Sequence, residues 1–194
     1  MQWKDLESDI KLRDLTEVLS ELDCFSALRI TANLMHGVRI FALSSCVTTV
    51  MSHVIAHKKE VGGLLVGQVW KQASKNARVF SQPLITIIEA IPSTEFRNSS
   101  VSLEMGSNLW NRFNDRVSGE GIVVGWYHSH PNLGAFFSGT DRRTQKAFFN
   151  HQYSLGWVID PFRKEQKVFI GRDSDEYRPA IMEVEHGLEM AKSN

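Results

Sequence analysis

The order of apolar runs and helical stripes along the chain predicts an α/β or α+β fold, with helices packed on a curved mixed sheet. Three observations lead to this prediction. Short apolar runs of strand length recur through the 194 residues, segments with helical periodicity separate them, and a polar turn joins the last two runs as in a hairpin. No internal repeat or low-complexity tract interrupts this order.

The composition is that of a globular protein, with 42% hydrophobic residues, 23% charged residues and a net charge of zero. This balance gives no electrostatic case for binding nucleic acid or an anionic membrane. No apolar stretch approaches the roughly 20 residues that span a bilayer, and the charged N-terminus lacks a signal-peptide core. Cys24 and Cys46 form no CxxC pair, so we expect apolar packing cysteines in a cytoplasmic protein.

The first part of the chain, residues 1–36, predicts a helical extension ahead of a domain that spans residues 37–194. A helical stripe with charges on its other face is formed by Leu6, Ile10, Leu15, Val18, Leu19 and Leu22. Residues 23–37 fit either a continued helix or a strand. The stripe has two interpretations: a helix packed on the domain's own surface, or a docking helix for a partner or a second copy of the chain.

The domain begins with a predicted strand at residues 38–43, followed by a helix that Ser44 or Ser45 caps. We expect this helix to end in residues 57–60, where the basic side chains suit a helix C-terminus. It carries His53 and His57 four residues apart, but the glutamate of an HExxH site is missing, so we do not expect metal there. Further strands are predicted at 64–70, 79–80, 84–91, 101–105, 122–127, 155–160 and 167–171. Further helices are predicted at 108–117 and 140–150.

A group of polar residues follows the strand at 122–127. His128 and His130 point to the same side, because alternate residues share one face of a strand. Asp141, eleven residues after the second histidine, offers a third ligand. Two imidazoles and a carboxylate leave the fourth tetrahedral position of zinc open, as catalytic zinc sites do. The spacing from Ser138 to Asp141 also fits a capping box, and a first-turn carboxylate can serve both roles.

The joint pattern of His128-x-His130, seven residues and Ser138-x-x-Asp141 resembles the signature of the JAMM (MPN+) zinc metalloproteases. Members of that family also have an upstream glutamate at the end of a helix, before a glycine-containing strand. Glu60-Val-Gly-Gly matches this element. No residue of the joint motif is missing.

The resemblance covers roughly residues 37–182 and implies an MPN/JAB-like curved mixed sheet flanked by helices. It implies one zinc ion per chain, bound by His128, His130 and Asp141. It also implies that Glu60 acts as the general base, exchanging a proton between water and the leaving amine. The Ser138 hydroxyl is implied to stabilise the tetrahedral oxyanion, where a single donor is typically worth roughly 3–4 kcal/mol.

The substrate implied by the resemblance is ubiquitin or a ubiquitin-like protein, cleaved after its C-terminal tail, often at an isopeptide bond. Residues 95–105 occupy the place of the family's first insertion, beside which an extended tail could add as a strand. The candidate substrate contacts are Phe96, Val101 and Leu103, which fit ordinary half-buried strand positions equally well. Family members that select a particular ubiquitin linkage tend to elaborate the region after the last ligand. The shortness of this region here, between Asp141 and Trp157, is therefore implied to mean weak selection of the proximal partner.

The short chain resembles compact, stand-alone bacterial members of the family. Such proteins occur with ubiquitin-like conjugation machinery, including antiphage defence operons, where they mature a precursor or reverse conjugation. The expected partners are therefore a ubiquitin-like substrate and proteins of its conjugation pathway. Two alternatives stay open: a hydrolase that processes sulfur-carrier proteins, and a non-catalytic MPN-type binding module in a larger assembly, against which the complete motif argues.

Overall fold

The structure, a computed structural model, describes residues 13–22, 24–71, 83–93, 107–116 and 121–185. Within these residues the chain forms a nine-stranded mixed sheet flanked by helices. The predicted layer architecture is therefore confirmed.

The sheet contains β1 (Arg13–Asp14), β2 (Ile40–Leu43), β3 (Gly62–Lys71), β4 (Leu84–Pro92), β5 (Ile122–Ser129), β6 (Leu155–Asp160), β7 (Glu165–Ile170), β8 (Asp175–Tyr177) and β9 (Met182–Val184). The helices of the described part are α1 (Leu15–Glu21), α2 (Cys24–Met35), α3 (Ser44–Ile55), α4 (Ser107–Arg116) and α5 (Gly139–Phe148).

The strand order across the sheet is β8-β7-β6-β5-β3-β4-β2-β9, and β1 pairs with the far end of β3. β5 runs antiparallel to β3 on one side and parallel to β6 on the other. β6 and β7 form the predicted antiparallel hairpin. The end of β5 therefore lies in the middle of the sheet, between two neighbouring strands.

Alternate side chains of the central strands divide between two apolar clusters, one on each face of the sheet. Leu65 and Tyr127 belong to the larger cluster, which α1, α2 and α3 cover. Leu64 and Trp126 belong to the smaller cluster, with residues of α4 and with Phe149 directly after α5. The two faces of β5 thus have different surroundings.

The N-terminal segment combines a short strand with two helices. Arg13 and Asp14 pair with β3, so the helix predicted from the stripe between Leu6 and Leu22 is wrong at these two positions. Asp14 then caps α1, since its side chain accepts a hydrogen bond from the Thr16 N–H at 2.8 Å. Leu15 and Leu34 pack into the larger apolar cluster, so the described part of this segment shares a core with the sheet. Leu6 and Ile10 lie outside the described residues.

The prediction for α3 is wrong at both of its ends. Leu43 is the N-cap and makes no side-chain cap bond, while the Ser44 hydroxyl donates to the Val184 carbonyl of β9 at 3.3 Å. The pairing of β2 with β9 brings that carbonyl within reach, and a local pattern does not reveal it. The helix ends at Ile55 instead of reaching residues 57–60, because residues 55–60 offer no buried apolar side chain that would hold a further turn against the sheet.

The strands predicted at 79–80 and 101–105 lie outside the described residues. No helix in the described part of the chain is long and apolar enough to cross a membrane.

Candidate metal centre

Two histidines mark the end of β5. His128 is paired with Gly62 of β3 and Val158 of β6, which hold its backbone from both sides. His130 follows directly after the strand. Because Trp126, His128 and His130 alternate along the chain, both imidazoles face the smaller apolar cluster, on the side of α5. Both are almost completely buried.

The ligand atoms of His128, His130 and Asp141 converge at one point. The two histidine Nε2 atoms are 3.2 Å apart, and the carboxylate oxygens of Asp141 lie 3.3 Å from the first Nε2 and 3.6 Å from the second. Donor atoms of a tetrahedral zinc site with bonds of about 2.0–2.1 Å are about 3.3–3.4 Å apart. Donor types and spacing therefore fit a zinc ion.

The start of α5 brings Asp141 to this point through a capping box, as the spacing predicted. The Asp141 N–H donates to Ser138 Oγ at 3.2 Å, and the Ser138 N–H donates to Asp141 Oδ2 at 2.6 Å. This pair of bonds fixes the carboxylate in the first helical turn, where the helix dipole favours a negative charge.

Asp141 is ionised despite its burial. Burial alone would raise the pKa of its carboxyl, but the hydrogen bond to His128, the charge of His128 and hydrogen bonds from the side chain and the backbone N–H of Ser138 lower that pKa to about 2. The pKa of His130 is lowered, first by burial and then by the neighbouring His128. The centre therefore combines a carboxylate with an imidazole that burial favours in its neutral form, as metal ligands require.

Glu60 lies at the rim of this centre, with Oε1 4.0 Å from His130 Nε2. Its side chain is 33% exposed, while those of His130 and Asp141 are each only 5% exposed. Burial raises the pKa of its carboxyl, the nearby His128 lowers it and Asp141 raises it again. The centre is therefore open to solvent on the side of Glu60.

Ser129 connects the backbone next to Glu60 to the end of β5, a role that the sequence did not reveal. Ser129 is completely buried, and its hydroxyl accepts a hydrogen bond from the Val61 N–H at 3.1 Å. Its own N–H donates to the Val61 carbonyl at 2.8 Å. The residue between the two histidines thus fixes the backbone next to Glu60. In the sequence, the one indication of this role is that a serine stands between the two candidate ligands His128 and His130.

Asp160, which the sequence analysis also missed, holds the loop that follows His130. Its buried carboxylate accepts hydrogen bonds from the N–H groups of Asn132, Gly134, Phe162 and Arg163 at 2.7–3.1 Å. Burial would raise the pKa of Asp160, but these four bonds together lower it. One ionised side chain therefore fixes two loops, one of which leads from the end of β5 to Ser138.

The structure places the predicted site residues in three groups. Glu60, His128, His130, Ser138 and Asp141 lie together at one place. The three candidate substrate contacts, Phe96, Val101 and Leu103, lie outside the described residues. Among the described residues, His128, His130 and Asp141 form a group whose ligand atoms are close enough to hold a metal ion, and His53 and His57 lie outside that group.

A family model described as prokaryotic homologs of the JAB domain matches residues 45–169, a span that contains the whole group. Among curated relatives, COP9 signalosome complex subunit 5 of Caenorhabditis elegans is 32% identical over 108 residues, which is 54% of this chain and 27% of that protein. Ubiquitin carboxyl-terminal hydrolase RPN11 of Saccharomyces cerevisiae is 29% identical over 109 residues, again 54% of this chain and 32% of that protein. The match thus spans about a third or less of these relatives.

Among solved structures, the solution structure of a protein from Desulfitobacterium hafniense resembles this fold. The TM-score is 0.56 at 20% sequence identity, and the alignment covers 80% of this chain and 100% of that chain. This likeness concerns the fold alone.

Proposed function

The chain belongs to the family of prokaryotic homologs of the JAB domain, and we propose that it is a zinc-dependent protease or isopeptidase. Its proposed substrate is ubiquitin or a ubiquitin-like protein, cleaved after the C-terminal tail. The observation that carries the proposal is the convergence of two Nε2 atoms and one ionised carboxylate within 3.2–3.6 Å, with a second carboxylate 4.0 Å away.

His128, His130 and Asp141 are the proposed zinc ligands. When bound, zinc supplies a Lewis acid and lowers the pKa of a water molecule to about 7. The protein's contribution is to hold the three ligand atoms on rigid elements, since β5 is paired on both sides and the capping box fixes Asp141.

Glu60 is the proposed general base. It is not fixed by the capping box, it is partly exposed, and it borders the buried ligand cluster, so it can meet both water and substrate. Burial raises the pKa of its carboxyl toward the operating pH, which favours proton exchange. Glu60 would accept a proton from the attacking water and pass it to the leaving amine.

Ser138 is the proposed donor to the developing oxyanion. Its Oγ accepts a hydrogen bond from the Asp141 N–H, a bond that does not use the hydroxyl proton, and this proton would turn to the oxyanion when substrate binds. The cap also fixes the position of Oγ before substrate arrives, and such preorganisation is what makes an oxyanion donor effective.

The substrate class is supported by the match to a protein named ubiquitin carboxyl-terminal hydrolase. Because the family is described as prokaryotic, we extend the proposal to precursor maturation or deconjugation in a bacterial ubiquitin-like pathway, including one used in antiphage defence. Phe96, Val101 and Leu103 remain the proposed contacts for the substrate tail.

The test combines zinc content with cleavage by the full chain. We expect one zinc per chain and cleavage of ubiquitin-like fusion proteins directly after the tail, identified by mass spectrometry. Glu60→Gln should keep its zinc and lose about 10²–10⁴-fold in rate. Glu183→Gln, an exposed substitution in β9, is the matched control and should behave as wild type.

Each part of the proposal has its own contradicting result. A chain that binds no zinc contradicts the metal centre. Zinc binding without cleavage after any ubiquitin-like tail contradicts the substrate class, and full activity of Glu60→Gln contradicts the general base.

A further inference from the structure

The ring of His128 is held by an aromatic stack. A histidine that binds metal through one nitrogen usually donates a hydrogen bond from the other, which orients the ring. Among the described residues, no protein group forms a hydrogen bond with Nδ1 of His128. The imidazole instead lies face to face with the indole of Trp126, at a centroid distance of 4.5 Å and an interplanar angle of 9°.

The indole of Trp126 is in turn fixed in its own pocket. It is completely buried, and the ring of Phe149 lies nearly parallel to it at 5.8 Å. The neighbouring strand makes room through Gly156, where a Cβ atom would lie 3.1 Å from the indole nitrogen and 2.3 Å from the ring of Phe137. The indole N–H donates to Gln145 Oε1 at 2.7 Å.

Gln145 has a single possible orientation. Its Nε2 group lies 3.0–3.2 Å from three backbone carbonyls, those of Phe149, Ser154 and Gly171. Amide nitrogen must face these acceptors, so amide oxygen must face the indole N–H of Trp126. Gln145 is completely buried and cannot exchange these partners for bulk water.

α5 carries Gln145 one turn after Asp141, so both residues lie on the same face of the helix. The helix therefore meets His128 in two ways. Asp141 approaches its Nε2 directly at 3.3 Å, and Gln145 holds the indole on which its ring is stacked.

We infer that Gln145 is a positioning residue for the metal centre, which acts through Trp126 to fix the ring plane of His128. The inference rests on the proposed zinc site. In this arrangement, the stack of His128 on Trp126, which the Gln145 amide holds in place, orients the imidazole as a hydrogen bond to Nδ1 usually does. Loss of the anchor lets indole and imidazole tilt together, and Nε2 then leaves the point where the three ligand atoms meet.

The experiment measures the zinc dissociation constant by competition with a chromophoric chelator, and the ligand-field absorption spectrum of the cobalt-substituted protein. We compare wild type, Gln145→Met, Trp126→Phe and the double variant. The first substitution keeps the side-chain length but removes the amide, and the second keeps a ring but removes the N–H. Val50→Ala, in the apolar cluster on the other face, is the control for a stability loss alone.

We expect each single variant to bind zinc about 10–100-fold more weakly, as for other outer partners of metal ligands, and to show an altered cobalt spectrum. The double variant should be no weaker than the weaker single variant, because both residues act through one stack. Val50→Ala should lower the melting temperature and leave zinc affinity unchanged.

The inference is overturned if Gln145→Met lowers the melting temperature but binds zinc within twofold of wild type, or if the two losses of affinity multiply. Should Gln145→Met fail to fold, Trp126→Phe compared with Val50→Ala decides the question alone. A wild-type chain that binds no zinc refutes the proposed centre, and the inference falls with it. Zinc binding that is indifferent to both substitutions refutes only the inference.

Discussion

Two pairs of histidines lie on opposite faces of the central sheet, and their rings are arranged alike. The rings of His53 and His57 are 5.2 Å apart at an interplanar angle of 75°, and those of His128 and His130 are 4.7 Å apart at the same angle. His53 lies in α3, which packs on the side of Tyr127, and His57 follows two residues after the end of that helix. The second pair lies on the side of α5.

The difference lies in what the ring nitrogens meet. His53 Nδ1 shares a hydrogen bond of 2.9 Å with the Tyr127 hydroxyl, and His57 Nδ1 donates to the carbonyl of His53 at 2.8 Å. The Nε2 atoms of His128 and His130 instead face each other and the carboxylate of Asp141. The ring spacing is therefore alike in the two pairs, and the difference is that His128 and His130 direct their Nε2 atoms at each other and at a buried carboxylate.

The largest expected effect is the loss of one ligand. His128→Gln should bind no zinc after dialysis, and its cleavage rate should fall by about 10³-fold or more, since zinc is worth several kcal/mol of transition-state stabilisation. His53→Gln and His57→Gln should each keep one zinc per chain. Elemental analysis of the purified proteins checks the contrast, and zinc loss in His53→Gln would mean that the two pairs are not independent.

The site could be predicted where its geometry is local. His128 and His130 share a face because side chains alternate along a strand. Ser138 and Asp141 form a capping box at the start of α5 because the two are three residues apart. Family membership, which the motif predicted, is confirmed.

The parts that the sequence could not predict depend on contacts between distant segments. Asp160 accepts hydrogen bonds from N–H groups of two loops, and Ser129 bonds with Val61, directly before β3. In the sequence, Gln145 is an ordinary polar helix residue, and its bond with Trp126 forms only because α5 packs against β5. The start of α3 was predicted wrongly for the same reason, since Ser44 bonds across to β9 instead of capping its own helix.

A smaller effect is expected from separating the two roles of Ser138. Ser138→Ala should lose about 1 kcal/mol of stability with the cap, and about 10²-fold in cleavage rate with the oxyanion donor. Ser138→Asp restores a good capping group but places a negative charge where the oxyanion forms. It should recover the melting temperature without recovering the rate. If Ser138→Asp recovers both, Ser138 is a cap alone.

The smallest expected effect concerns the pair of His53 and His57. The pKa of His53 lies below 6.5, first because of burial and then because of His57. The unfolded chain, with a histidine pKa of about 6.5, then binds more protons than the folded chain between the two pKa values. The stability contribution of His53 is therefore complete above pH 6.5 and declines as the pH falls below it.

The variant His53→Gln tests this, because its amide can still bond to the Tyr127 hydroxyl but does not titrate. In zinc-free protein, the melting temperature should fall further between pH 8 and pH 5.5 for wild type than for His53→Gln. Every other histidine is common to both proteins, so parallel curves would show that His53 carries no such penalty.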